Sequence, residues 1–229
     1  MSESAKHIVE EIKQLQNAEK AKWLENYVKH DIKSFGVGIP EIREIVKIFE
    51  KENQISSQQI SLQIQFLDDL MGNEFTEPKL AAIIFIQLYW KTNKPTETLQ
   101  LTSKWLENGW ITDWNVCDWL CVRLLSPLVD KEPKQTILEF EKWNTSTNLW
   151  KARASLVPFA QCKTIEEHTS IILTFSEYLI KRDERFCKTA VGWVLRQYSK
   201  INEKLVIEFL ERNKNWTTKE VIKNATKYL

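Results

Sequence analysis

Laid on itself at an offset of 36, the sequence aligns Ala82, Asp118, Ala154 and Ala190 in one column. The two positions that follow read Ile83-Ile84, Trp119-Leu120, Ser155-Leu156 and Val191-Gly192, and the position four before reads Pro78, Trp114, Trp150 and Phe186. A fixed offset of this length is the signature of stacked two-helix units, each hiding its apolar face against its neighbours. Small residues in such a column suit close helix contact, so a carboxylate there must leave the packing or line a groove. Asp118 is therefore the first candidate functional residue.

Only 5 glycines and 6 prolines occur among 229 residues. That scarcity argues against a β-rich or loop-rich chain and for long helices joined by short turns. The expectation is an all-α helical-repeat solenoid of about six units, at ~35–45 residues per repeat, forming one domain over residues 1–229. No apolar run approaches the ~18 residues of a membrane span, and Met1-Ser-Glu-Ser-Ala-Lys6 lacks the apolar core of a secretory signal. The chain is expected to be cytoplasmic, with no membrane partner, and monomeric.

Cys117, Cys121, Cys162 and Cys187 form no Cys-x-x-Cys pair, and His7, His30 and His168 lie near none of them in sequence. Neither a metal site nor a cofactor is expected, and the cysteines read as reduced thiols packed as small apolar residues. Formal net charge is +1. The excess is local, because Glu141 to Lys200 carries ten Lys/Arg against six acids, and a neutral solenoid with one basic stripe suits a polyanion.

Residues 3 to 30 read as two helices, and Tyr27 falls either at a core edge or in a groove. Ser34-Phe-Gly-Val-Gly-Ile-Pro-Glu-Ile-Arg43 reads as a turn feeding a helix, with Gly36 and Gly38 free for positive φ and Pro40 in the first helical turn. Arg43 near that helix start opposes the dipole and calls for an acidic or phosphate partner. A helix is expected over Gln58 to Met71. In each unit from Glu77 onward, a second helix should end near a polar loop, at Asn93, Asp130, Lys163 and Ser199. A final helix over Thr217 to Leu229 should start with the capping box Thr217-Thr-Lys-Glu220.

Ten tryptophans are present, and most are expected to pack between helices. Trp114 sits one helical turn before Asp118, so indole and carboxylate project to the same side. Trp193 occupies an apolar column with Phe85, Cys121 and Val157, where packing stays open as its reading. Arg153 replaces the small residues Ala81, Cys117 and Thr189, and either forms a structural ion pair or reaches a phosphate.

Trp114-Asn-Val-Cys-Asp118, Asn148-Leu-Trp-Lys-Ala-Arg153-Ala and Lys188-Thr-Ala-Val-Gly-Trp193-Val-Leu-Arg196-Gln-Tyr198 resemble the signature blocks of the AlkD family of DNA alkylation repair glycosylases. Gly36-Val-Gly-Ile-Pro40-Glu-Ile-Arg43 is similar to that family's N-terminal block, so the resemblance runs from about Tyr27 onward. It implies a HEAT-like helical-repeat solenoid whose concave basic face holds double-stranded DNA. The implied activity is removal of cationic alkylpurines, N3-methyladenine and N7-methylguanine, by hydrolysis of the N-glycosidic bond, without drawing the lesion into a base pocket. Asp118, Trp114 and Trp193 would carry the chemistry. Arg153, Tyr27, Arg43, Lys188 and Arg196 would bind DNA.

Two other classes stay open from the residues. A scaffold for another protein would leave Asp118 without a task. A non-catalytic helical-repeat protein that recognises distorted or branched DNA through phosphates would tolerate its loss.

Overall fold

The computed structural model describes residues 1–29 and 32–229, so His30 lies outside it. The described residues are all-α, with no β-strand among them and one isolated bridge between Lys33 and Phe75. They pack as two compact units, Met1–Leu124 and Leu125–Leu229.

The first unit runs α1 (Glu3–Gln14), α2 (Ala18–Val28), α3 (Ile39–Asn53), α4 (Ile60–Met71), α5 (Thr76–Phe85), α6 (Pro95–Glu107) and α7 (Trp114–Leu120). A π turn, Ile86–Trp90, extends α5, and another, Cys121–Leu125, follows α7. The second unit runs α8 (Ser126–Lys131), α9 (Pro133–Asn144), α10 (Leu149–Leu156), α11 (Thr169–Ile180), α12 (Arg185–Tyr198), α13 (Glu203–Arg212) and α14 (Lys219–Ala225).

The repeat column falls on α5, α7, α10 and α12, one residue to each helix. Ala82, Ala154 and Ala190 are fully buried, whereas Asp118 is half-buried. Two positions further on, Gly192 allows α12 to lie against α14, since a Cβ there would come within 3.3 Å of the Val221 backbone.

In the first unit Ile8, Ile12, Ile42, Val46, Leu67, Leu70 and Phe85 are buried together. Each such side chain contributes about 1.5–3 kcal/mol relative to exposure. Phe140, Trp143, Phe159 and Phe175 hold the second unit, Phe159 meeting Phe140 edge to face at 6.1 Å and Phe175 at 6.3 Å. No helix among the described residues is long and apolar enough to cross a membrane. All four cysteines are free thiols and buried.

Several helix starts follow polar caps. Asn17 accepts from Lys20 N at 3.0 Å, Asp113 from Val116 N at 3.0 Å, and Asn148 from both Trp150 N and Lys151 N. Each satisfies backbone donors that the first helical turn leaves open. At α14 the cap sits one residue later than the capping box predicts. Thr218 rather than Thr217 accepts from Val221 N, and Glu220 is drawn away to Arg185 in a two-pronged ion pair. The helix also stops at Ala225 rather than Leu229.

Two further expectations are corrected. The polar stretches near Asn93, Asp130, Lys163 and Ser199 join each column helix to its partner helix, instead of ending the second helix of a unit. Gly38 caps α3 at φ −78°, so of the two turn glycines only Gly36 is left-handed. Of the tryptophans, Trp90, Trp105, Trp143 and Trp150 are buried, Trp23 and Trp216 are exposed, and the others are half-buried.

Candidate nucleic-acid interface

The loop Ser34–Gly38 is built around a buried carboxylate. Glu77, 1% exposed, accepts from the Ser34 hydroxyl at 2.6 Å, Phe35 N at 3.0 Å, Gly36 N at 2.9 Å and Val37 N at 3.3 Å. A charge without a cationic partner is costly to bury, and a ring of backbone N–H donors offsets that cost. Gly36 is required here, because at φ +75° a Cβ would sit 2.1 Å from the Asn17 carbonyl oxygen. Glu77 therefore fixes how the chain enters α3.

α2 carries Trp23 and Tyr27 one turn apart, which places both rings on one face. They stack at 5.1 Å with planes 7° apart, and both stay exposed, at 63% and 56%. Tyr27 also meets Trp114 of α7 edge to face at 5.4 Å. The Trp114 indole N–H donates to Val28 O at 3.2 Å, satisfying a carbonyl that the end of α2 leaves without a helical partner. Asp118 follows Trp114 by one turn on the same face of α7. Tyr27, Trp114 and Asp118 are thus gathered in the first unit.

On the neighbouring face of α7, Asn115 and Trp119 line an open cleft of about 240 Å³ with Trp23, Lys20 and the Gly36–Gly38 loop. The Arg123 guanidinium lies over the Trp119 ring at 4.7 Å. This cleft escapes sequence reading, since α2, the glycine turn and α7 meet only in the folded chain. The one available signal is that Trp119 belongs to the same aromatic-rich stretch as Asp118.

Lys79 joins the end of α4 to the loop that leads into α7. Its ammonium donates to Met71 O at 2.8 Å and Trp110 O at 2.7 Å, and burial pushes its pKa down to about 8 despite the nearby Asp113. Lys188 in the second unit repeats the arrangement, bridging Ile180 O at 3.0 Å and Trp216 O at 2.8 Å.

The remaining sequence candidates are held by protein groups. Arg43 donates to Gln87 Oε1 at 2.7 Å. Arg153 is 4% exposed, its guanidinium donating to Phe186 O at 2.7 Å and Thr189 Oγ1 at 3.2 Å. Arg196 donates to Asn224 Oδ1 at 3.1 Å. Trp193 is half-buried on α12, and its indole N–H is buried without an acceptor among the described residues. Arg153, Lys188, Trp193 and Arg196 all belong to the second unit.

A search of curated protein sequences finds no match. Among solved structures, a predicted DNA alkylation repair enzyme from Enterococcus faecalis aligns with a TM-score of 0.80 at 21% identity, covering 93% of this chain and 96% of that one. AlkD2 from Streptococcus mutans aligns at 0.58 and 18% identity, covering 92% and 99%. The protein smu.31 from Streptococcus mutans UA159 aligns at 0.55 and 19% identity, covering 82% and 99%. At these identities the solved structures speak for the fold. Residues 8–229 match the model of a whole family, and this chain belongs to that family, the DNA alkylation repair enzymes.

Proposed function

We propose that this protein is a DNA glycosylase that excises cationic alkylpurines, N3-methyladenine and N7-methylguanine, from duplex DNA by hydrolysing the N-glycosidic bond without flipping the base. The observation that carries the reading is the half-exposed Asp118 in a column whose other members, Ala82, Ala154 and Ala190, are fully buried.

Alkylation puts a positive charge on the purine and makes it a good leaving group, so no general acid is needed. What remains is to stabilise the oxocarbenium-like sugar and to place a water, and one carboxylate facing the deoxyribose does both. Asp118 has that role in this reading. Trp114, on the same face of the helix, offers an indole face to which a developing cation is attracted.

The exposed Tyr27, held against Trp114, serves as a contact to the DNA backbone. Among the described residues Arg43 and Arg196 each donate to protein through one terminal nitrogen, and a guanidinium has a second, so both retain capacity for phosphate. Lys188 and Arg153 contribute by holding α12 in place as well as by their charge.

The experiment is incubation with a duplex bearing one N7-methylguanine, followed by alkaline cleavage at the abasic site. Strand scission supports the reading. Duplex binding without scission would favour the non-catalytic DNA-binding class instead.

A further inference from the structure

The cleft beside α7 has no task in the chemistry above. Trp114 and Asp118 share one face of the helix, and Asn115 and Trp119 follow each by one residue, about 100° around the axis. Two neighbouring faces of one helix therefore offer a carboxylate face and an aromatic cleft.

The cleft is made for a flat, polar-edged ring. Trp23 has one face covered by Tyr27 at 5.1 Å, yet the residue is 63% exposed, so its uncovered surface is available. Trp119 stands on the α7 side of the cleft with Arg123 fixed over its ring. Leu24, Val37, Ile39 and Leu80 give the cleft an apolar lining between the two indoles, and the Glu77 carboxylate holds the Gly36–Gly38 loop through four donors. Asn115 supplies an amide that both donates and accepts, as the edge of a nucleobase requires.

The surrounding charge selects the ligand class further. Lys20 and Arg123 are both exposed, and neither ammonium nor guanidinium has an acidic partner among the described residues. Two cations beside two indoles match a base joined to its phosphate, the combination that proteins use to hold unpaired nucleotides.

Resting on the reading of DNA as the partner, we propose that the Trp23–Trp119 cleft binds one unpaired nucleotide adjoining the lesion, stacking its base on the indoles and pairing its phosphate with Lys20 and Arg123. The leaving purine itself stays on the Asp118 face. The consequence is a preference for duplexes that already have a displaced base.

The test compares the full-length protein on two duplexes of the same sequence, one perfectly paired and one carrying a single bulged deoxyadenosine, with affinity read by anisotropy. Wild type should bind the bulged duplex about tenfold more tightly, the scale of one base stacked on an aromatic side chain. Trp119→Leu should bring the two affinities to within about twofold while leaving the paired duplex bound as before. Lys20→Ala, at an exposed position, should narrow the preference and lower its salt dependence. Equal binding of both duplexes by wild type, or a preference that survives both substitutions, overturns the inference. Failure to bind either duplex would instead sink the reading of the protein as DNA-binding, and this inference with it.

Discussion

Trp114 meets Tyr27 edge to face, with ring centroids 5.4 Å apart and planes at 72°, while its indole N–H closes the end of α2 through Val28 O. One tryptophan thus fixes an exposed tyrosine and a helix terminus, and stands one turn before Asp118. Trp114→Phe keeps an aromatic ring but removes the N–H. The variant should lose about 1 kcal/mol of stability in urea titration, and an unchanged midpoint would show that water replaces the indole.

Glu77 and the Ser34–Gly38 loop give a sharper prediction. Glu77→Gln puts an NH₂ group where N–H donors converge, so at least one donor faces another donor in a buried site. The expected cost is about 2–3 kcal/mol of unfolding free energy. Binding of the bulged duplex should weaken more than binding of the paired one, because the loop floors the Trp23–Trp119 cleft. A variant as stable as wild type would contradict the role given to this carboxylate.

Arg153 is buried, and its hydrogen bonds to Phe186 O and Thr189 Oγ1 stay within the second unit. Arg153→Ala should lower stability by about 2–3 kcal/mol, since it removes the hydrogen bonds of a buried guanidinium and leaves a void. A direct phosphate contact would lower the salt slope of DNA binding by about one unit. The protein-held geometry predicts a slope close to that of wild type.

How much of this was legible in the sequence differs by kind of interaction. The 36-residue offset placed Ala82, Asp118, Ala154 and Ala190 on four helices, because a helical repeat writes its packing into periodic side-chain size. The same pattern marked Asp118 as the residue that stays out of the core. What a polar end meets is not periodic, so the Glu77 nest, the Gln87 partner of Arg43 and the bridging lysines Lys79 and Lys188 were invisible. The competition of Arg185 for Glu220 likewise moved the α14 cap from Thr217 to Thr218. Trp23 and Trp119 lie 96 positions apart, and nothing local announces that they share a cleft.

Lys79 yields a pH prediction with a definite sign. Its folded pKa of about 8 lies below the ordinary 10.5, so between these values the folded chain holds fewer protons than the unfolded one. Unfolding free energy attributable to Lys79 therefore rises with pH across that window. Urea midpoints at about pH 7, 9 and 10 should show wild type gaining on Lys79→Met as pH increases. A constant difference between the two proteins would remove the burial argument.

The open placement of Tyr27, Trp114 and Asp118 bears on lesion size. If the base is left outside any enclosing pocket, as the proposed mechanism has it, cationic purines with substituents much larger than methyl should be excised at rates within about tenfold of N7-methylguanine. A snug pocket would reject them. Single-turnover rates on methylated and bulky cationic duplexes measure this directly, and a steep fall with adduct size would argue for enclosure.

The measurement that bears most directly on the account is single-turnover release of N7-methylguanine from duplex DNA by wild type and by Asp118→Asn, with a hypoxanthine duplex run alongside. The account predicts release by wild type, a loss of roughly 100- to 1,000-fold in the variant with duplex affinity kept within a few-fold, and no release of hypoxanthine, which is neutral and needs protonation to leave. Unchanged release by Asp118→Asn, or efficient release of hypoxanthine by wild type, would contradict it.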